Sequence, residues 1–435
     1  MRTSNVSNVV ISRIKSDLVK QLSEIGKDNF HGASVQLVEE KFFETLGKAG
    51  SVGLSELFSQ NDDARKIILH NGLKHYLKFK STGKYLTLLG EISVERGIYQ
   101  SNISNKSFCP LEAKLRFIND YISFGSAEYI AYSTALMTPE DFVKQCNKWA
   151  LMKPSSSTVK RVTNYVGHFL ETSDFFDMIH AEETIPKEAV TLGISIDSTS
   201  VLIKKEGWRH ATAATVSSYD VDGNRLDTVY IGRMPEKGKR KIKELLEREV
   251  EAKLSQQNFK QIVCIADGAR EIWIYFRKKY PQAVHITDFS HVAEHLAKLS
   301  ELLFKKPSEA KAWFEEYKTI LKNEPNGAAK VIRAARYRRS LITKDPEIEK
   351  EIKYLQQNRK RMNYFEYQQK NLPIGSGVVE AACKNLIGAR LKKAGMSWSN
   401  EGGQNVLNLR ALILSNRWEI FWSYFLHSHF PKYGT

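Results

Sequence analysis

Three carboxylates, far apart in the sequence, stand where the chain predicts rigid structure. Asp197 lies in an alternating strand pattern, on the face opposite Ile194 and Ile196. Asp267 ends the apolar run QIVCIA, which is typical of a strand buried on both faces. Glu380 falls in the first turn of a helix predicted after Pro and Gly residues. Such acids suit a hard divalent cation such as Mg²⁺.

Each acid also has an ordinary structural explanation. Asp267 and Gly268 form a common turn dipeptide, and Glu380 with Lys384 could be a surface ion pair worth a few tenths of a kcal/mol. The set of three favours chemistry instead. Two cations about 3.5–4 Å apart, held by such acids, can activate an attacking oxygen and stabilise the leaving oxygen of a phosphodiester.

The helix that carries Glu380 has a clear start and a clear buried side. Ser376 is the predicted cap after the Pro373 turn. An apolar stripe follows at helical spacing, formed by Val379, Ala382, Cys383, Leu386 and Ile387. We therefore expect one rigid helix that holds Glu380 and continues into the basic segment GARLKKAG.

Charge and cysteine content narrow the function classes. The 435 residues include 65 Lys and Arg but only 49 Asp and Glu. The resulting formal charge of +16 favours a polyanionic partner, in practice nucleic acid. Four separated cysteines without a CxxC pair indicate neither a disulfide framework nor a zinc site, and favour a reducing cytoplasm. No long apolar run or signal peptide predicts a membrane location.

The first 135 residues are expected to be a mainly helical region with a short β hairpin. Helices are predicted over 9–25, 34–47 and 64–79, and a hairpin over 84–101. Residues 136–180 then resemble a helix-turn-helix, in which a second helix begins with small hydroxyls and basic groups able to reach phosphates. These are Ser156, Thr158, Lys160 and Arg161. An ordinary helical hairpin explains this segment about equally well.

The remaining chain changes to an α/β pattern. Three strands, two of them joined by the Asp222–Gly223 turn, precede helix–strand units up to about residue 300. This order predicts an RNase H-like core, a mixed five-stranded sheet with flanking helices, over 187–300. An α-helical insertion, 301–370, interrupts it before 371–435 supplies the Glu380 helix and a closing helix. Arginines within the insertion favour DNA contact, namely Arg336, Arg338 and Arg339.

Six segments together resemble the DDE transposases of bacterial insertion sequences, in particular the ISKra-type family. They are ID at 196–197, IADGA at 265–269, DFSHV at 288–292, PIGSGVVEAACK at 373–384, GWR at 207–209 and RLKKAGMSW at 390–398. The resemblance covers residues 187 to 425 well. It also explains the spacing, since 70 residues separate Asp197 from Asp267 but 113 separate Asp267 from Glu380.

The resemblance implies an activity and its residues. Asp197, Asp267 and Glu380 would be the DDE triad, holding Mg²⁺ with Mn²⁺ able to substitute, and His291 an accessory group near the scissile phosphate. The reaction would be cleavage at transposon ends and strand transfer into target DNA. A basic segment would face DNA, formed by Lys384, Arg390, Lys392 and Lys393. A homodimer or larger assembly on double-stranded DNA, nucleoid-associated in a bacterial cytoplasm, is expected.

One departure from the family leaves two other functions open. Relatives often carry a zinc ribbon after the first hairpin, but here only Cys109 remains, so no zinc is expected. A catalytically silent or domesticated transposase that binds specific DNA sequences is the main alternative. More distantly, His291-Val-Ala-Glu-His295 matches the HxxEH pattern of zinc peptidases, which gives no role to the aspartates.

Overall fold

The computed structural model describes residues 8–25, 33–70, 72–103, 107–343, 345–375 and 377–429. The chain forms two compact units, one from residues 1–169 with 420–435 and the other from residues 170–419. Ser376, the predicted cap of the Glu380 helix, lies outside the described residues. Within these ranges, no helix combines the length and the apolarity that a membrane crossing requires.

The first unit combines helices with an antiparallel sheet of order β1-β2-β3-β4. Its elements are α1 (Asn8–Ile25), α2 (Ala33–Ser59), β1 (Ile67–His70), β2 (Leu73–Thr87), β3 (Gly90–Ser101), β4 (Ser107–Phe108), α3 (Pro110–Leu115), α4 (Phe124–Leu136), α5 (Pro139–Trp149) and α6 (Ser156–Thr172). Thr138 caps the start of α5, since its Oγ1 accepts from the Asp141 amide at 2.9 Å.

The helix predicted over 64–79 is wrong, and the hairpin is not short. Residues 67–70 and 73–87 form β1 and β2, which turn at Gly72 with φ of +76°. The 15 residues of β2 pair with β3 as a long antiparallel ladder. The apolar and polar residues of this stretch alternate with the period of a strand, and its aromatic and β-branched residues pack well on a pleated surface.

The second unit contains most of the remaining helices and a second sheet. Its elements are α7 (Phe175–Glu182), β5 (Thr191–Ile203), β6 (Gly207–Tyr219), β7 (Arg225–Arg233), α8 (Arg240–Gln256), β8 (Gln261–Ala266), α9 (Arg270–Lys279), β9 (Val284–Thr287), α10 (Phe289–Leu303), α11 (Pro307–Asn323), α12 (Gly327–Ser340), α13 (Pro346–Asn358), α14 (Tyr364–Gln368), α15 (Gly377–Ala382), α16 (Ala389–Leu391) and α17 (Asn400–Leu414). The last described helix, α18 (Trp418–His429), belongs to the first unit from Ile420 onwards.

The predicted mixed five-stranded sheet with flanking helices is confirmed. Its strand order is β7-β6-β5-β8-β9, with β5, β6 and β7 antiparallel and β5, β8 and β9 parallel. Residues of even number in β5, such as Ile194 and Ile196, pack against α8 and α9. Residues on the other face of the sheet pack against α10 to α14, or against α15 and α17. The sheet is therefore buried between two layers of helices.

A buried ion pair joins α8 to the end of α17. Arg417 donates to both carboxylate oxygens of Glu249, at 2.7 and 2.8 Å, and both side chains are at most 5% exposed. Burial alone would raise the pKa of Glu249, but the charge and hydrogen bonds of Arg417 lower it to about 2. The stability that this carboxylate provides is therefore full above its ordinary pKa of 4.5 and is lost as the pH falls towards 2.

Arg417→Leu is expected to lower the free energy of unfolding by about 3 kcal/mol at pH 7, because Glu249 would remain buried with only His180, whose Nε2 lies 3.1 Å away, as a partner. Urea denaturation followed by circular dichroism measures the change. Lys330→Ala, in the exposed pair of Lys330 with Glu324, is the control and should cost below about 1 kcal/mol. Adding Glu249→Leu to Arg417→Leu should recover most of the loss, and no recovery would contradict this account.

Candidate active site

The parallel pairing of β5 with β8 brings Asp197 and Asp267 together. Ser195 is opposite Ile265 at the end of the register, and Asp197 and Asp267 each lie two residues further on, Asp267 directly after Ala266, the last residue of β8. Because side chains alternate along a strand, both carboxylates lie on the face covered by α10, α13 and α15. The pKa of the Asp197 carboxyl is raised mainly by burial, and the negative charge of Asp267 acts in the same direction. Two acids 70 residues apart in the sequence therefore form one site.

Asp197 is half-buried, and four groups act on its carboxylate. Burial is the main cause that raises its pKa, and the negative charge of Asp267 acts in the same direction. In the opposite direction, the Ser198 amide donates to Oδ1 at 2.6 Å, the Cys383 thiol donates a further hydrogen bond, and nearby His291 also acts to lower the pKa of Asp197. The net result is a raised pKa, which means that the protein's own hydrogen bonds and charges do not fully offset the cost of burying the charged carboxylate of Asp197.

Cys383 was predicted only as part of an apolar stripe. Its thiol is buried, and burial together with Asp197 raises the pKa of that thiol. It lies at the start of a π-helical turn, Cys383–Gly388, that continues α15 into α16. A π turn within a helix often marks a functional site, and this irregularity is the signal that periodicity alone does not reveal.

Asp267 stands at the end of β8 and closes a tight turn, since its Oδ1 accepts from the Ala269 amide at 3.0 Å. The ring of Tyr354, from α13, lies directly over the adjoining Gly268. Tyr354 is itself stacked on His295, with ring centroids 3.6 Å apart. Gly268 is therefore required by the close approach of an aromatic ring, a contact that sequence reasoning missed.

Gly268→Ala is expected to lower the free energy of unfolding by about 1–3 kcal/mol, because its methyl group would stand 2.2 Å from the Tyr354 ring. Chemical denaturation of the variant measures this loss. Tyr354→Leu combined with Gly268→Ala removes the obstructing ring, so the double variant should lose less than the sum of the two single variants. Strict additivity would rule out the steric explanation.

The two histidines of the HxxEH pattern have separate partners. His295 Nδ1 lies 2.5 Å from Oε2 of the buried Glu351, whereas His291 Nδ1 lies 3.5 Å from Glu294 Oε2. His291 also acts on Asp197, as noted above. The two histidines therefore contact different carboxylates, and the contacts among the described residues do not direct them to a common metal ligand position.

Glu380 is not grouped with the two aspartates. Its carboxylate accepts from Lys384 at 2.6 Å, on a surface where the Glu380 side chain is 46% exposed. Its helix is nevertheless close to the site. Glu380 precedes Cys383 by three residues, which places the two on one side of the helix, one turn apart. The third carboxylate therefore lies one turn from the group that contacts Asp197.

The aspartate pair fits a divalent cation, although the full triad is not assembled. Among residues 8–25, 33–70, 72–103, 107–343, 345–375 and 377–429, no three His, Cys, Asp or Glu side chains are close enough to hold a metal ion. Mg²⁺, however, commonly takes only one or two carboxylates and completes its shell with water and substrate phosphates. A cation would also offset the like charge that raises the pKa of Asp197.

The basic segment after Glu380 is only partly available to DNA. Arg390 was predicted to face DNA but is 1% exposed, with its guanidinium 5.0 Å from the Trp398 ring centroid. Lys392 and Lys393 follow the end of α16 and are exposed, and Lys392 Nζ donates to Thr199 Oγ1 at 2.6 Å on β5. Arg390 differs from the prediction because its side chain is buried against Trp398, at a position where the sequence suggested an exposed surface.

The arginines of α12 are largely used in packing. Arg339 Nε lies 2.5 Å from Glu349, and the Arg338 guanidinium lies 4.3 Å from the Phe304 ring centroid. Arg336 is exposed. Of the three residues predicted to bind DNA here, Arg336 has the most accessible side chain.

In the first unit, the helix-turn-helix-like segment consists of α5 and α6 with a six-residue connection. Thr158 is 8% exposed, and its hydroxyl lies 3.1 Å from the Tyr121 hydroxyl. Lys160 pairs with Glu140 at 2.7 Å, and Arg161 lies over the Tyr121 ring. Ser156 is half-buried in the first turn. Lys160 and Arg161 remain exposed, while Thr158 serves the unit's own packing.

No protein-family model and no curated protein matches this sequence. Among solved structures, the chain is similar to one titled Drosophila P element transposase strand transfer complex, with 10% sequence identity and a TM-score of 0.27. The similarity covers 70% of this chain and 81% of that chain. A TM-score at this level is too low to establish a shared fold or function. The candidate site is therefore defined by the positions and contacts of its residues alone.

Proposed function

We propose that this protein is a DNA transposase of the DDE type, which cleaves DNA at transposon ends and transfers the strand into target DNA. The observation that carries the proposal is the β5–β8 pairing, which places Asp197 and Asp267 on one face with their like charges in reach of each other. The substrate class comes from the resemblance of the sequence motifs, and the charge of +16 supports a nucleic-acid partner.

The topology supports an RNase H-like core with a helical insertion. The sheet order β7-β6-β5-β8-β9 corresponds to a three-stranded meander extended by two parallel strands, with the acids on the two central strands β5 and β8. Helices α11 to α14 lie between β9 and the helix of Glu380, where the insertion is proposed. Ligand-binding residues at the carboxyl end of a central parallel strand, as for Asp267, are typical of α/β sheets.

The protein's own residues then have distinct roles. Asp197 and Asp267 hold a divalent cation through carboxylate oxygens, and the Ser198 amide and Cys383 thiol fix the orientation of Asp197. A bound cation would supply the Lewis acid that activates an oxygen nucleophile and stabilises the leaving oxygen. His291, beside Asp197, is placed to donate a hydrogen bond to a phosphate oxygen.

Glu380 has a conditional role in this proposal. In the protein alone it pairs with Lys384, whose pKa it raises. A DNA phosphate near Lys384 would compete for the ammonium group and leave the Glu380 carboxylate available one helical turn from Cys383. The third carboxylate would thus join the aspartates only when DNA is bound.

A second candidate is a DNA-binding protein without catalysis. The pairing of Glu380 with Lys384, away from the aspartates, favours it. The two candidates differ in one assay, in which the purified protein is incubated with DNA duplexes carrying the sequences that border its own gene. Nicks that leave a 3′ hydroxyl, in Mg²⁺ or Mn²⁺ but not in chelator, support the transposase. Binding without metal-dependent nicking supports the second candidate.

A further inference from the structure

An arginine-rich cavity lies directly beside the candidate active site. Arg270, Trp273 and Arg277 stand at positions i, i+3 and i+7 of α9, so they share one side of that helix. Arg361, from the 3-10 turn that follows α13, faces them across a cavity of about 250 Å³. Gly268, next in sequence to Asp267, completes the wall with the end of α13.

The positive charge of this cavity is not neutralised by the protein. No acidic residue lines it, and none of Arg270, Arg277 and Arg361 has a carboxylate of a described residue within salt-bridge distance. Burial and the charge of Arg277 lower the pKa of Arg361, which shows that like charges face each other there. By contrast, Arg233 and Arg417 of the same unit each contact a carboxylate.

The guanidinium of Arg361 is held in place by contacts with its neighbours. Arg361 lies 4.5 Å from the Trp273 ring centroid and donates from Nη2 to Asn358 Oδ1 at 2.6 Å. Asn358 is 2% exposed and is anchored by its own donation to the Tyr354 carbonyl at 2.9 Å. Arg361 Nε and Trp273 Nε1 are buried donors without an acceptor among the described residues.

We propose that this cavity binds a phosphate group. Guanidinium groups bind phosphate through paired, charge-assisted hydrogen bonds, and three of them converge here around unused N–H donors. The wall residue Gly268 directly follows Asp267, and consecutive Cα atoms are about 3.8 Å apart, so the cavity begins one residue from the candidate site. If the proposed function is right, this phosphate belongs to the backbone of the DNA strand that is cut. The cavity would then position that strand without taking part in the chemistry.

The double variant Arg270→Gln/Arg277→Gln tests the site, since both side chains are exposed and their loss should leave the fold intact. The matched control is Lys278→Gln/Lys311→Gln, which removes the same charge from exposed positions outside the cavity. The first probe is a fluorescein-labelled 20-nucleotide DNA strand, followed by anisotropy in chelator. The second is inorganic pyrophosphate, followed by calorimetry. Thermal melting checks that both variants are folded.

The arginine variant is expected to bind the strand about tenfold or more weakly than the control does. Its slope of log affinity against log salt should fall by about 1.4, for two phosphate contacts on a single strand. Loss of pyrophosphate binding alone would identify a free phosphate as the ligand. Equality with the control in both arms would overturn the proposal. Because chelator prevents cleavage, the result is independent of whether the protein is a transposase.

Discussion

Asp197→Asn and Asp267→Asn are each expected to lower metal-dependent DNA nicking by at least about 10³-fold, because each removes a carboxylate ligand from the proposed cation site. DNA binding in chelator should remain within about threefold of wild type, since neither change removes positive charge. Asp222→Asn, in the exposed turn between β6 and β7, is the matched control and should nick normally. Nicking of a labelled duplex and anisotropy measure the two properties.

The same variants give a readout that needs no activity. Mg²⁺ that binds the folded protein raises its melting temperature, so wild type should be stabilised by added Mg²⁺ and Asp197→Asn should not. Without metal, burial and Asp267 raise the pKa of Asp197 in the folded state. Its contribution to stability is therefore present below the unfolded pKa and lost as the pH rises through the raised folded value. Asp197→Asn should remove this loss, and Mg²⁺ stabilisation of the variant equal to wild type would refute the site.

The sheet could be predicted because its strands carry strong local patterns. After Gln261, the residues IVCIA of β8 are all apolar, since β8 is covered on both faces, and the Asp222–Gly223 turn is a local hairpin signal. β2 was mistaken for a helix because IILHNGLKHYLKF also satisfies a helical spacing of apolar residues. The pairing of 15 residues with β3, a long-range contact, decided in favour of the strand.

The site was predictable only in part, for a physical reason. The aspartate pair follows from two strands that must be neighbours in a parallel sheet. By contrast, the ring of Tyr354 over Gly268 and the thiol of Cys383 against Asp197 are tertiary contacts with no local signal. The burial of Arg390 was missed since arginines are mostly exposed. The arginine cavity was not predicted, because Arg361 joins it from 84 residues beyond Arg277.

Glu380→Gln separates the two functions most sharply, and we expect it to lower nicking at least about 10³-fold while Lys384→Gln lowers it less than about tenfold. Both changes break the same ion pair, so any effect of the pair itself on the helix is equal in the two variants. That effect is small, because exposed pairs of this spacing contribute only about 0.3–0.5 kcal/mol.

The difference between the two variants therefore measures what the carboxylate does beyond the pair. Lys384→Gln should also weaken DNA binding slightly and free Glu380 before DNA arrives, so its Mg²⁺ stabilisation should exceed that of wild type. If Glu380 is only half of a surface pair, both variants will nick like wild type. In that case the aspartates alone hold the cation, and the three-carboxylate mechanism is wrong for this chain even if nicking itself depends on Asp197.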